Sequence, residues 1–231
     1  MLPGWSNGFI AGGFGPLISI TQVLSSTSTA QTITAPSGIQ AGDLLVLADM
    51  ACNTSGAPAA VTPTGWTAVT ASVTTSVIRQ CSSYKLAVGN EGGTSITGMT
   101  GTGSVAKVMQ VFRGNSPATS VTLGDPDAQA TSNDPSSQTV TAASGVAPLV
   151  VFGFYGAVSS GVSAGFLTPR TFTSASGGKD GELSSFANAT NDTEVWLAWK
   201  IFNTAPVDCT VDMGNVDLNS LMSCYIQMAR P

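Results

Sequence analysis

The sequence predicts an all-β protein: an antiparallel β-sandwich, of jelly-roll or immunoglobulin-like type, built from two duplicated halves. Apolar segments rich in Val and Thr recur along the chain and are separated by Gly, Pro, Ser and Asn, which is typical of strands joined by turns. The second half of the chain also repeats segments of the first half in a similar order. No stretch of helical period is long enough to predict a core helix.

The clearest repeat joins QTITAPSG, which begins at Gln31, to QTVTAASG, which begins at Gln138. The last repeat aligns Gln110 with Gln227 and Arg113 with Arg230. Because a solenoid needs about three or more repeats, two copies indicate a duplicated sandwich instead. Three further pairs of segments match: SYKLAV at 83–88 with AWKIFN at 198–203, SITGM at 95–99 with CTVDM at 209–213, and VMQVFRG at 108–114 with YIQMARP at 225–231.

The duplication is compatible with two small sandwich domains or with one larger sandwich whose halves are related. We expect a single domain over residues 18–231, with half-repeats at about 31–114 and 138–231, since one β-sandwich can reach about 250 residues. The second half begins with the strongly apolar run from Pro148 to Tyr155, which needs cover on both faces. Residues 1–17 are expected to form a separate N-terminal docking arm.

Alternation of apolar and polar residues, bounded by turn residues, predicts strands almost throughout. In the predicted strand Glu194–Phe202, this alternation places Trp196 and Trp199 on opposite faces, so they cannot form one sugar-stacking surface. In the first half the predicted strands are Ile18–Leu24, Thr32–Ala35, Leu44–Cys52, Trp66–Thr70, Ser76–Val88, Ser95–Met99 and Ala106–Arg113. In the second half they are Val121–Leu123, Thr139–Ala142, Leu149–Ala157, Arg170–Thr173, Leu183–Ala187, Glu194–Phe202, Cys209–Met213 and Leu221–Ala229.

Composition and charge argue against several classes of function. Charged residues make up 9% of the chain, against roughly 25% in an average soluble protein. The net charge of −5 supplies no basic field for phosphates, so we expect no nucleic-acid partner. The N-terminal segment lacks a basic start and is interrupted by Gly, and no apolar run reaches about 18 residues. We therefore expect neither a signal peptide nor a membrane anchor.

Catalysis is not expected. The chain contains no His, which removes the commonest general base and excludes a Ser-His-Asp triad. Paired carboxylates could still support glycoside hydrolysis, but most of the acids lie in turn-like segments, where acids are common. The candidates by residue type are Asp43, Asp49, Asp125, Asp127, Asp134, Asp180, Glu182, Asp192 and Glu194.

No metal site and no cofactor are predicted either. The densest acidic segment, GDPD at 124–127 with NDP at 133–135, offers oxygen ligands for calcium but lacks EF-hand spacing, and we expect a solvated linker between the half-repeats. The four cysteines lack the CxxC spacing of a zinc site. We expect buried thiols, with a Cys209–Cys224 disulfide as the alternative. The cysteines are Cys52, Cys81, Cys209 and Cys224.

The candidate partner-binding residues are Trp5, Phe9, Ile10 and Phe14 of the N-terminal arm, where they are interleaved with Gly and Asn. Such a segment cannot fold alone, yet it carries large apolar side chains. Docking on a partner subunit would bury these side chains, and packing back onto the sandwich is the alternative. Trp66 is predicted to fill the core beside the PTGW turn; on the surface it would be a binding candidate instead.

Four segments also resemble a known family: ITAPSGIQAGDLLVLADMA at 33–51, PTGWTAV at 63–69, SSYKLAVGNEGG at 82–93 and VMQVFRG at 108–114. They are similar to a β-sandwich module of tailed-bacteriophage virion proteins and related prophage-encoded proteins. The resemblance covers about residues 20–231, because the portion from Pro148 to Pro231 resembles the second half of that module. The matched positions are turn and core positions, so no functional residue is carried over.

The resemblance implies a virion structural protein without enzymatic activity, synthesised in the host cytoplasm. Its partners would be other virion proteins, such as major capsid or tail subunits, and copies of itself, with a trimer as one arrangement. The leading expectation is an accessory capsid protein that decorates or cements the head lattice, or forms the base of a head fibre. The alternative is a tail-associated adhesion module for host-surface glycan. A bacterial surface or secreted binding module would require an export route, which the sequence does not show.

Overall fold

The computed structural model describes residues 19–70, 73–74, 77–130, 137–141, 148–159, 171–187, 192–212 and 220–229. These residues form sixteen β-strands and no helix. The first half contributes β1 Ile20–Ser28, β2 Thr32–Thr34, β3 Leu44–Cys52, β4 Thr67–Ala68, β5 Val73–Thr74, β6 Ile78–Leu86, β7 Ser95–Thr97 and β8 Val105–Gly114. The second half contributes β9 Ser120–Ala130, β10 Gln138–Val140, β11 Leu149–Ser159, β12 Thr171–Ser174, β13 Gly181–Ala187, β14 Asp192–Phe202, β15 Cys209–Asp212 and β16 Ser220–Ala229.

The two halves share one strand order. The main sheet of the first half runs β1-β8-β3-β6-β4, with β5 also paired to β6, and the main sheet of the second half runs β9-β16-β11-β14-β13. A smaller ribbon accompanies each main sheet: β2-β7 in the first half and β10-β15-β12 in the second. All strand pairs are antiparallel. The predicted antiparallel β-sandwich built from two duplicated halves is therefore confirmed.

The strand order within each half resembles that of a jelly roll, except that the fifth strand of each half, β5 or β13, pairs in the main sheet. The first, eighth, third and sixth strands of each half share the main sheet, while the second and seventh strands pair in the ribbon. An immunoglobulin-like sandwich divides its strands differently between its two sheets. The halves depart from each other at the fourth strand, because β12 joins its ribbon whereas β4 pairs with β6 of the main sheet.

The sheets form four layers with apolar clusters between them. The largest cluster lies between the two main sheets, which face each other directly. A second cluster lies between the second main sheet and its ribbon, and a third between the first main sheet and its ribbon. Strands β3 and β11 are therefore covered on both faces, which explains why they read as continuous apolar runs.

Phe112 on β8 is at the centre of the contact between the two main sheets. Its ring centroid lies 5.3 Å from that of Phe152 and 5.6 Å from that of Trp199, both in edge-to-face geometry. Polar contacts also cross between the halves: Ser220 Oγ donates to Gln80 Oε1 at 2.5 Å. The two halves thus share a common interior as well as having clusters of their own.

Most predicted strands lie near their expected bounds, but three differ: β1 extends to Ser28, β5 was not predicted, and β9 has 11 residues where Val121–Leu123 was expected. The last repeat is also shifted in register. Gln110 pairs with Val46, whose side chain faces the other main sheet. Gln227 pairs with Leu149, whose side chain faces the outer ribbon. The alignment of Gln110 with Gln227 is therefore wrong, although their strands hold equivalent places, because the burial of apolar side chains sets the register. Arg230 lies outside the described residues.

The acidic segment at 124–127 belongs to a strand, so the expected linker is wrong there. It lies in β9, an edge strand that pairs with β16, and the pairing is interrupted opposite Cys224. Asp125 adopts a φ of 48° at this bulge, and Pro126 follows it. An edge strand tolerates both. A bulge accommodates an extra residue, and Pro, which lacks an N–H, removes no interstrand hydrogen bond on the open side of an edge. Residues 133–135 lie outside the described residues.

No helix in the described part of the chain is long and apolar enough to cross a membrane.

Candidate functional site

A tight turn holds Trp66 in a defined position. The backbone N–H of Trp66 donates to the carbonyl of Pro63 at 3.0 Å, and Gly65 at the third position of the turn has a φ of +78°. This is the conformation of a type II turn, which requires Gly or Asn at that position. Trp66 is partly buried and packs against the cluster between the β2-β7 ribbon and its main sheet. It does not fill the core completely, contrary to the sequence prediction.

A fixed carboxylate lies in the loop after β6. Glu91 Oε1 accepts the N–H of Val88 at 3.0 Å and Glu91 Oε2 accepts the N–H of Gly89 at 2.9 Å. Lys85 Nζ on β6 lies 2.9 Å from Glu91 Oε1. Burial opposes ionisation, but the N–H of Val88, the Lys85 ammonium and the N–H of Gly89 together lower the pKa of Glu91 to about 2. Glu91 is thus a permanent anion at neutral pH.

Trp66 and the Lys85–Glu91 pair line one groove of about 330 Å³, which we call the Trp66 groove. The other lining residues come from the turn and from the β7 region: Pro63, Thr64, Thr94, Ser95, Ile96 and Thr97. Thr64, Ser95 and Thr97 are exposed, so their hydroxyls are open to solvent. The groove therefore combines an aromatic wall, a fixed ion pair and a row of hydroxyls, which suits the binding of a polar organic molecule.

A second groove, of about 400 Å³, lies beside Arg113 and Asp43. Arg113 Nε and Nη2 donate to the two oxygens of the Asp43 carboxylate, each at 2.7 Å, and Nη2 also donates to the carbonyl of Gly38 at 2.8 Å. The bond to Asp43 raises the pKa of Arg113. The guanidinium is already engaged by this forked pair, so its role is to tie β8 to the loop before β3.

Asp49 and Lys107 form an ion pair inside the first half. Lys107 Nζ lies 2.7 Å from each oxygen of the Asp49 carboxylate and 2.7 Å from the carbonyl oxygen of Met99, while the N–H of Met99 donates to Asp49 at 2.6 Å. Burial raises the pKa of Asp49 and lowers that of Lys107, and their mutual contact opposes both shifts. Lys107 has no exposed side-chain surface and Asp49 has 2%, so the pair is enclosed in the fold and does not form part of a surface site.

The structure gives most described acids partners within the fold. Asp180 pairs with Lys200 at 2.9 Å and Glu182 pairs with Lys179 at 2.8 Å. Asp125 accepts the N–H of Thr141. Within the described ranges, no group of three His, Cys, Asp or Glu residues is arranged to hold a metal ion. Asp134 lies outside the described residues.

The four cysteines are free thiols, so the Cys209–Cys224 disulfide is not formed. Cys209 lies in the cluster beside the outer ribbon, whereas Cys224 lies in the cluster between the main sheets. Burial raises the pKa of Cys209 to about 11 and raises that of Cys224 as well. Neither thiol is a ready nucleophile at neutral pH, since the thiolate is the reactive form.

The expected partner-binding residues Trp5, Phe9, Ile10 and Phe14 lie outside the described residues. Trp196 and Trp199 pack into different clusters on opposite faces of β14, as predicted. The sequence analysis did not identify Lys85 or Glu91 as site residues, although both lie in the Gly-containing segment SSYKLAVGNEGG at 82–93, where the residues after Val88 have the composition of a turn. The signal available was an acid inside that turn, six residues after a basic strand residue.

The chain matches no family model, no curated protein sequence and no solved structure.

Proposed function

We propose that this protein is a non-enzymatic accessory protein of a tailed-bacteriophage virion, which decorates or cements the capsid or forms the base of a head fibre. The observation that carries the proposal is the duplicated jelly-roll sandwich with a surface poor in charge. Jelly rolls recur among viral capsid domains. The resemblance of segments 33–51 and 82–93 to virion β-sandwich modules supports the same assignment.

The chemistry of the described residues also supports a non-enzymatic role. The carboxylates of Asp43, Asp49 and Glu91 are each bound by a basic side chain and by at least one backbone N–H group. The thiols of Cys209 and Cys224 are buried, and their pKa values are raised. The carboxylates thus hold loops and strands together, and the buried thiols pack as small apolar groups.

The proposed partners are capsid subunits and further copies of this chain, with a trimer as one arrangement. The arm at residues 1–17 supplies the large apolar side chains that a docking segment needs, namely those of Trp5, Phe9, Ile10 and Phe14. A polar surface with few charged residues gives little electrostatic repulsion between neighbouring copies, which suits close packing in a lattice.

The test is electron microscopy of purified particles at subunit resolution, combined with deletion of residues 1–17. We expect regular density on the icosahedral lattice, and we expect the deletion variant to fold but to be missing from particles. A variant with Trp5, Phe9, Ile10 and Phe14 all replaced by Ser separates side-chain docking from chain length. Absence of the full-length protein from particles would contradict the proposal.

A second candidate function is a tail-associated adhesion module that recognises host-surface glycan. The Trp66 groove favours it, because a partly exposed indole beside hydroxyls and a fixed ion pair is a suitable surface for sugars. Density at the tail alone, in the same microscopy, would favour this candidate over the capsid role.

A further inference from the structure

The aromatic wall of the Trp66 groove is preorganised. The type II turn fixes the backbone of Trp66, and the apolar cluster beneath the β2-β7 ribbon supports one part of the indole. The remaining part borders the groove. A ligand that stacks on this ring therefore meets a surface that loses little conformational freedom on binding.

The polar side of the Trp66 groove is equally fixed. Glu91 is anchored by two backbone N–H groups and by Lys85. The Lys85 side chain keeps 23% of its surface exposed, so its ammonium can donate to a ligand while it remains paired. On β7 the pleat buries Ile96 and presents Ser95 and Thr97 outward, which places two hydroxyls on the same side of the strand.

The charge of the groove indicates a neutral ligand. Lys85 and Glu91 cancel, and the other polar lining groups are hydroxyls. An anionic or a cationic molecule would meet the like charge of one member of this pair, whereas hydroxyls can donate to Glu91 and accept from Lys85. The volume of about 330 Å³ is at the lower end of the roughly 300–1,000 Å³ typical of small-ligand sites.

We propose that the Trp66 groove binds a neutral, pyranose-containing glycan. The C–H face of one sugar ring stacks on the indole of Trp66, and the sugar hydroxyls bond to Lys85, Glu91 and the hydroxyls of Ser95 and Thr97. A pyranose has this combination of an apolar face and a polar rim. The inference deepens the adhesion function proposed above and rests on it, and it names the ligand class and the residues that contact it.

The experiment is a titration of the purified protein with neutral trisaccharides built of glucose, galactose, mannose or N-acetylglucosamine. Binding is measured by ligand-observed NMR and by calorimetry. We expect at least one trisaccharide to bind with a Kd of roughly 1 mM, because the groove is small and open. Trp66→Ala should weaken binding at least about tenfold, because the stacking surface is lost.

Since Trp66 also supports the fold, a second variant leaves the core untouched. Thr97→Tyr places a bulky ring over the groove from an exposed strand position, and we expect loss of binding without loss of folding. Thr173→Tyr is the matched control, because Thr173 is an exposed threonine on β12 in the other half. It should keep the affinity of the unmodified protein.

Loss of binding in Thr97→Tyr with retention in Thr173→Tyr supports the proposal. It is overturned if no neutral trisaccharide binds, or if Thr97→Tyr binds as well as the unmodified protein. These outcomes are independent of where the protein lies on a particle. Failure here therefore leaves the capsid role standing, and absence from particles leaves glycan binding by the groove intact.

Discussion

The two halves fill the same place between their third and eighth strands with opposite chemistry. Two equivalent lysines align the halves. Lys85 on β6 pairs with Leu45 on β3, and Lys200 on β14 pairs with Val151 on β11, so Leu45 and Val151 occupy the same place in their third strands. Four residues further along each third strand, the first half has Asp49 facing Lys107, and the second half has Tyr155 facing Leu221.

This difference shows that the strand order does not dictate the chemistry of the interior. All four side chains are buried, with exposures of 2% or less. A buried ion pair has a desolvation cost that its mutual attraction must offset, whereas Tyr155 and Leu221 gain mainly from apolar burial. The first half offsets the cost with the backbone of Met99, which donates to Asp49 and accepts from Lys107.

The lysines Lys85 and Lys200 provide a second contrast. The partner of Lys85 is Glu91, which has 6% of its side chain exposed, whereas the partner of Lys200 is Asp180, which has 37% exposed. Equivalent lysines therefore form a sheltered pair beside the Trp66 groove in one half and a solvent-screened pair in the other.

The largest expected effect concerns the contact between the halves. Phe112→Ala removes the ring that meets Phe152 and Trp199, and we expect a loss of about 4–5 kcal/mol of unfolding free energy. Chemical denaturation followed by Trp fluorescence measures it. A loss below about 1 kcal/mol would show that the shared cluster adds little to the stability of either half.

The buried ion pair gives the next effect. Lys107→Met leaves Asp49 buried without its counter-charge, and we expect a loss of about 3–4 kcal/mol. The double variant Asp49→Leu with Lys107→Met imitates the apolar filling of the second half, and it should recover most of that loss. If the double variant is as unstable as the single one, the pair supports the Met99 segment rather than merely neutralising its own charges.

A smaller effect is expected at Glu91. Glu91→Gln removes a charge that accepts two backbone N–H bonds, and we expect a loss of about 1–2 kcal/mol at pH 7. Because the pKa of Glu91 falls from 4.5 to about 2 on folding, its contribution is fully present above pH 4.5 and disappears as the pH falls from 4.5 towards 2. Urea denaturation across this range should show the difference between the two proteins shrinking, and a constant difference would contradict the assignment.

The smallest effect is expected at Lys200. Lys200→Met breaks the exposed pair with Asp180, and we expect a change below about 1 kcal/mol. Melting curves at low and high salt measure it. A larger change would mean that Asp180 depends on Lys200 to hold the N–H of Ile201, to which it also bonds.

How far the sequence could predict this molecule depends on the range of each interaction. Strand β3 was predicted with its observed bounds, because its burial on both faces leaves a continuous apolar run. The pair of Asp49 and Lys107 joins residues 58 positions apart and leaves no local pattern. Part of the Trp66 groove was visible as a PTGW turn, but Lys85 and Glu91 reach Trp66 only through the pairing of β4 with β6.

The bulge in β9 bears on how copies of this protein can meet. An open sheet edge invites another chain to extend the sheet by strand pairing. At the edge formed by β9, the exposed Asp125 and Pro126 interrupt that possibility, since Pro lacks an N–H and Asp125 turns the backbone away from the extended conformation. Extension of the sheet by another chain is therefore disfavoured at this edge, and a second chain approaching it would have to make its contacts with loops or sheet faces.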